Sequence, residues 1–169
     1  KASLSLQNYY TQAIAGIDAK RIADAAKDKQ KEIADSLRRS TSLAVAQSGL
    51  AKERLGTVIK NLPDAKDLQG LGQLTSTADV NRTVAQGMGR LNPARTAAYT
   101  AVSAEETAAK NQARKTILND AEGLQDALSA IETKATKSRE VIAQEGYDAE
   151  IKLRREAIDS KQRFDKDRL

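Results

Sequence analysis

Few side chains in this protein can do acid–base or nucleophilic chemistry. The 169-residue chain has no histidine and no cysteine. That removes Ser-His-Asp triads, Cys-His pairs, imidazole general bases and nearly all zinc sites, because each needs imidazole or thiolate. It also removes any disulfide framework. Carboxylates remain. Glu105 and Glu106 are adjacent in sequence, so on a helix they point to different faces and cannot converge on one substrate. They read as surface charges.

Two short patterns suggest phosphate or sugar chemistry. Gly70-Leu71-Gly72-Gln73-Leu74 is glycine-rich, but a dinucleotide loop needs a preceding strand and a third glycine. A flexible turn explains it better. Asn81-Arg82-Thr83 has the spacing of a glycosylation acceptor, a pattern common by chance. No catalytic, cofactor-binding or metal-ligating residue is expected, and no small-molecule substrate.

A basic stretch, Lys20, Arg21, Lys27, Lys29, Lys31, Arg38 and Arg39, is the strongest binding feature. Such a run can rest on DNA or an anionic membrane without reading sequence. Lys20, Arg21, Lys27, Lys31, Arg38 and Arg39 are the candidate contacts. Asp24, Asp28, Glu32 and Asp35 are interleaved at helical pairing distance, and no aromatic is interleaved for base stacking. A solvated helix face is the competing reading. The +5 net charge sits in this part of the chain: residues 1–62 hold 11 Lys/Arg against 6 Asp/Glu, and the rest is balanced.

The elements that must carry these residues are helices. Aromatics are 3% and much of the 40% hydrophobic content is alanine, so a thick core cannot form. Thin cores belong to helix pairs and bundles. The only prolines, Pro63 and Pro93, bracket a middle with Gly70, Gly72, Gly87 and Gly89. Both flanks are rich in strong helix formers. Three segments are predicted: a long helix over 1–62, a Pro/Gly-rich connector or tip over 63–93, and a second long helix over 94–169. Asn92-Pro93 reads as the N-cap and first residue of that helix. Asp79 reads as the cap of a short helix near 80–90.

Apolar spacing supports this division. On the second flank, steps of four, four and three give Ile131, Ala135, Ser138, Ile142, Gly146, Ala149, Leu153, Ala157, Ser160 and Phe164, none of them charged. The first flank gives Ile22, Ala26, Lys29, Ile33, Leu37, Ser40, Ala44, Ser48, Ala51, Leu55, Ile59 and Leu62, broken only by Lys29. Eleven residues per three turns is a hendecad, which runs nearly straight or supercoils gently to the right. A heptad also fits Ile117, Ala121, Leu124, Leu128, Ile131 and Ala135. The expected seam is therefore Ile22, Ile33, Leu37, Leu55, Ile59, Ile117, Leu124, Leu128, Ile131, Ile142, Leu153 and Phe164.

A helix of about 60 residues reaches about 90 Å and needs a partner along its stripe. The expected fold is all-α: a long antiparallel, coiled-coil-like hairpin with the middle as its tip. Breaks at Gly49, Gly56, Gly123 or Gly146 would give a four-helix bundle instead. The tip, Leu68 to Leu91, could enter a membrane, dock on a partner or simply connect. No stretch has the ~18 apolar residues of a membrane span. No leader is visible, and the start at Lys1 reads as a piece of a longer polypeptide.

The runs SLSLQNYYTQAIAGIDAKRIADAAKDKQKEIADSL and ETKATKSREVIAQEGYDAEIKLRREAIDSKQRFDKDRL, without Cys or His, resemble the internal virion (ejection) proteins of short-tailed bacteriophages. The resemblance covers both flanks and rests on composition and periodicity, so it transfers no individual residue. It implies a non-enzymatic structural subunit, stored in the virion and expelled to build a conduit for the genome across the host envelope. Its partners would be copies of itself and other assembly subunits. The competing classes are a pore-forming toxin or secretion-system translocator hairpin, a periplasmic sensor bundle of a bacterial receptor, and a scaffold without membrane work.

Overall fold

The computed structural model describes residues 2–63 and 74–167, with side chains from residue 8 onward. Every regular element among them is helical: α1 (Ala2–Lys60), α2 (Thr77–Thr116) and α3 (Ala121–Asp167). The all-α expectation holds. Residues 1–40 and 41–169 form two compact units.

In the second unit, the α1 residues from Thr41 onward, α2 and α3 share one thin core. Leu55, Leu62, Leu91, Ala98, Val102, Ala135, Ile142 and Ala149 are buried together, with Ile59, Met88, Ala94 and Tyr99 packed against them. A second cluster joins Leu74, Val80 and Ala157. Contacts between α2 and α3 fix their direction. Lys110 meets Glu132, Glu105 meets Lys134, Arg95 lies over Gly146 and Gly87 lies under Leu153. Numbers on α2 fall as those on α3 rise, so the two helices are antiparallel. The Thr41 hydroxyl donates to the Ala108 carbonyl (3.5 Å) and Lys52 Nζ to Ser138 Oγ (3.3 Å), tying α1 to both.

Three boundary expectations need correction. The second flank is not one helix over 94–169. It reverses at 117–120, where Asp120 caps α3 by accepting from Gly123 N at 2.9 Å. Second, α2 does not start at Asn92-Pro93. It starts at Thr77 and carries Pro93 in its interior. Asn92 Oδ1 accepts instead from Arg95 Nη2 at 3.4 Å. Most of the expected connector is therefore helix. Third, Ser76 is the cap rather than Asp79. Ser76 Oγ accepts from Asp79 N (3.2 Å) and Asp79 Oδ2 accepts from Ser76 N (3.0 Å), a reciprocal capping box. Hydrogen bonds from the Ser76 and Thr75 side chains hold the Asp79 carboxyl below its ordinary value. Gly49 and Gly56 lie within α1 and Gly146 within α3, so none of the three ends a helix. The glycine-rich turn at 70–73 lies outside the described residues.

Candidate assembly surface

Burial follows the expected eleven-residue spacing closely on α3. Its buried residues are Ala135, Ile142, Gly146, Ala149, Leu153, Ala157 and Ser160, all on the anticipated stripe. Ile131, Ser138 and Phe164 are half-buried. On α1, Ala44, Ser48 and Leu55 are buried and Ile59 is half-buried, and Leu62 just beyond its end is buried too. The rest of the expected seam divides. Ile117, Leu124 and Leu128 are half-buried beside the reversal, whereas Ile22 is 71% exposed and Ile33 51%.

That division marks the first unit. Every residue from Asn8 to Ile33 is exposed. Tyr9, Tyr10, Ile14, Ile17, Ile22 and Ile33 thus leave large apolar side chains in solvent on one helix. At ~100° per residue Ile22 and Ile33 share one side of the helix and Tyr9, Tyr10, Ile14 and Ile17 lie on another, two exposed apolar patches of the kind that mark interaction sites. The candidate cations Lys20, Arg21, Lys27, Lys31, Arg38 and Arg39 are all exposed on the same helix. Successive helical residues turn by ~100°, which puts Lys20, Lys27, Lys31 and Arg38 on the side away from Ile22 and Ile33. A cleft between the carboxylates of Asp28, Glu32 and Asp35 and the cations Lys31 and Arg39 has both signs of charge in its walls. The basic stretch is therefore an edge of a mixed face rather than a continuous cationic surface.

The second unit carries an ionic belt across α2 and α3. Lys134 Nζ reaches Glu105 at 2.9 Å, and Lys110 Nζ reaches Glu106 at 2.8 Å and Glu132 at 2.6 Å. Arg139 closes on the other Glu106 oxygen. Glu105 and Glu106 do point to different partners, but they are half-buried struts between helices rather than plain surface charges. Partial burial pushes the Glu105 carboxyl up. The hydrogen bond from Lys134, with the nearby Ser48 hydroxyl and the charges of Lys134 and Lys52, outweighs that and holds it low. Buried Ser48 Oγ has no hydrogen bond of ordinary geometry, yet its proximity still favours the Glu105 carboxylate. Glu106 is held low by Lys110 and then Arg139, and Lys110 is raised by Glu106 and then Glu132.

A groove of about 930 Å³ runs between α1 and α3, bounded by Lys52, Gly56, Ala130, Lys134, Val141 and Glu145 among others. It is an open trough. Small-molecule sites enclose most of their ligand, and a trough between helices suits an elongated partner better. Among the described residues no group of three acidic side chains could hold a metal ion, and no helix is long and apolar enough to cross a membrane.

Sequence reasoning missed the stripe of α2. Val80, Leu91, Val102 and Ala113 are buried and lie eleven apart, the same spacing as on α3. That signal runs straight through Pro93 and was open to detection.

No family model, no curated protein and no solved structure matches this chain.

Proposed function

We propose that this protein is a structural subunit of a helical assembly, in which shape and association carry the function rather than catalysis. The observation that carries the reading is the first half of α1, whose large apolar side chains stand in solvent from Tyr9 to Ile33. A helix with apolar side chains so exposed gains stability by laying them against a partner. The eleven-residue spacing of α1 continues from the buried Leu55 and Ala44 to the exposed Ile33 and Ile22, interrupted only by Lys29. A long hairpin-like arrangement with a hendecad seam is the geometry this implies for the assembled state.

Within that class we favour an internal virion protein that is expelled to form a genome-delivery conduit across the host envelope. Composition and periodicity support it through the resemblance of both flanks to short-tailed phage ejection proteins. The outer cations of α1 suit DNA phosphates or lipid headgroups bound without sequence reading. Imaging of the native particle tests the proposal. Symmetric copies of this chain inside a virion or its tail support it. A stable monomer that binds a small ligand in the α1–α3 groove overturns it in favour of a sensor domain.

A further inference from the structure

We infer that the exposed part of α1 docks on the same segment of a second copy, antiparallel, over residues 21–34. This rests on the assembly reading above and supplies its interface. The occupant is set by self-complementarity. A two-fold axis placed between Lys27 and Asp28 brings Ile22 opposite Ile33, and by symmetry Ile33 opposite Ile22. In antiparallel helix pairs, residues flanking the apolar seam meet their equivalents one step to either side of this register. On one flank Arg21 then meets Glu32, twice by symmetry. On the other flank Ala23 meets Ala34, small enough for the helices to approach closely. Lys29, the one charged residue on the stripe, faces Ala26. Its aliphatic stem can lie along that small side chain with the ammonium in water.

Three observations agree with this pairing. Ile22, Ile33, Arg21 and Glu32 are all exposed, so none is committed within the chain. The stripe extends the packed seam at Ala44 and Leu55 with unchanged spacing. The remaining charges of the segment, Asp24, Lys27, Asp28 and Lys31, fall on the outer side, where they stay solvated.

The chain has no cysteine, so single introduced thiols report position cleanly. Ala23→Cys and Ala34→Cys chains carrying different tags are mixed and treated with a short bismaleimide. The pairing predicts many-fold more cross-linking between the two variants than within either, because like positions sit ~16 Å apart along the axis. Stronger self-linking of Ala23→Cys means parallel helices and overturns the proposal. Linking of Ala23→Cys to Ala130→Cys instead places the stripe in a neighbour's groove and overturns it also. Sedimentation equilibrium supplies a second arm. Arg21→Glu should weaken dimerisation about tenfold, and the exchange Arg21→Glu with Glu32→Arg in every chain should restore it. No restoration overturns the register. Circular dichroism confirms that each variant stays helical. Symmetric copies in the particle together with failed cross-linking would sink this pairing and leave the assembly reading standing. A particle without the chain would sink the assembly reading itself.

Discussion

Leu153 on α3 occupies the space that a Cβ on Gly87 of α2 would fill, and Leu153 is itself 1% exposed. The two antiparallel helices touch there because position 87 has no side chain. Gly89, two residues further and on the opposite side of the helix, faces open space. The pair separates packing from propensity. Alanine at either site gains up to about 1 kcal/mol of helix preference. At 87 the new methyl must displace a buried leucine, an overpacking cost of about 1–3 kcal/mol. Gly87→Ala should therefore lower stability by about 1 kcal/mol and Gly89→Ala should raise it. Urea midpoints of the two variants decide the matter, and equal shifts would mean the helices do not approach at 87.

The buried stripe predicts a second contrast. Aspartate at Leu55, Ile142 or Leu153 puts a charge where side chains are 0–1% exposed. It should cost roughly 3 kcal/mol or more. Aspartate at Ile22 meets solvent within the chain and should leave the thermal midpoint of dilute protein within the range of ordinary surface changes, about 0.5 kcal/mol. Equal losses at Ile22 and Ile142 would show that the first half of α1 is covered within the monomer.

Legibility in the sequence followed the strength of periodicity. The α3 stripe could be read because ten uncharged positions repeat without interruption from Ile131 to Phe164. The start of α2 could not, because Asn92-Pro93 is a good helix-opening signal taken alone and Gly87 and Gly89 mimic a loop. The weaker signals there, Ser76 with Asp79 three residues later and Val80, Leu91, Val102 and Ala113 eleven apart, point the other way and prevail through packing. The reversal at 117–120 hid behind a heptad that bridges it in sequence. Only Asn119-Asp120 marks it, as a cap. The outward stripe of α1 shows the limit of periodicity, which identifies the apolar face of a helix but not what covers it.

Pro93 gives a third test. Inside α2 it offers no N–H to the Gly89 carbonyl, and its ring crowds that turn. Its side chain is exposed while Leu91, two residues before it, is fully buried. Packing on both sides of the proline therefore holds the helix through it. Pro93→Ala restores the hydrogen bond and should stabilise the protein by up to about 3 kcal/mol. A denaturation midpoint unchanged by this substitution would mean that α2 is broken at 93 in solution.

The ionic belt makes stability depend on pH with a definite sign. Lys110 and Arg139 hold the Glu106 carboxyl below the ordinary glutamate value of 4.5, and Lys134 and Ser48 outweigh burial to do the same for Glu105. The unfolded chain therefore takes up these protons first as pH falls. The stabilisation is complete above about pH 5 and declines from pH 4.5 downward, until both folded carboxyls are protonated. Lys110 is shifted upward from 10.5, so its share is complete at neutral pH and is lost only as pH rises past 10.5. Glu106→Gln keeps the shape of the side chain and removes the charge. It should lower stability at pH 7, where Lys110 and Arg139 lose their common partner. At pH 2–3 wild type is protonated there as well, and the two proteins should converge. Urea titrations at pH 7, 5, 4 and 2.5 follow the gap between them. A gap that stays constant across the series would show that Glu106 acts through packing and that the belt contributes no charge-dependent stability.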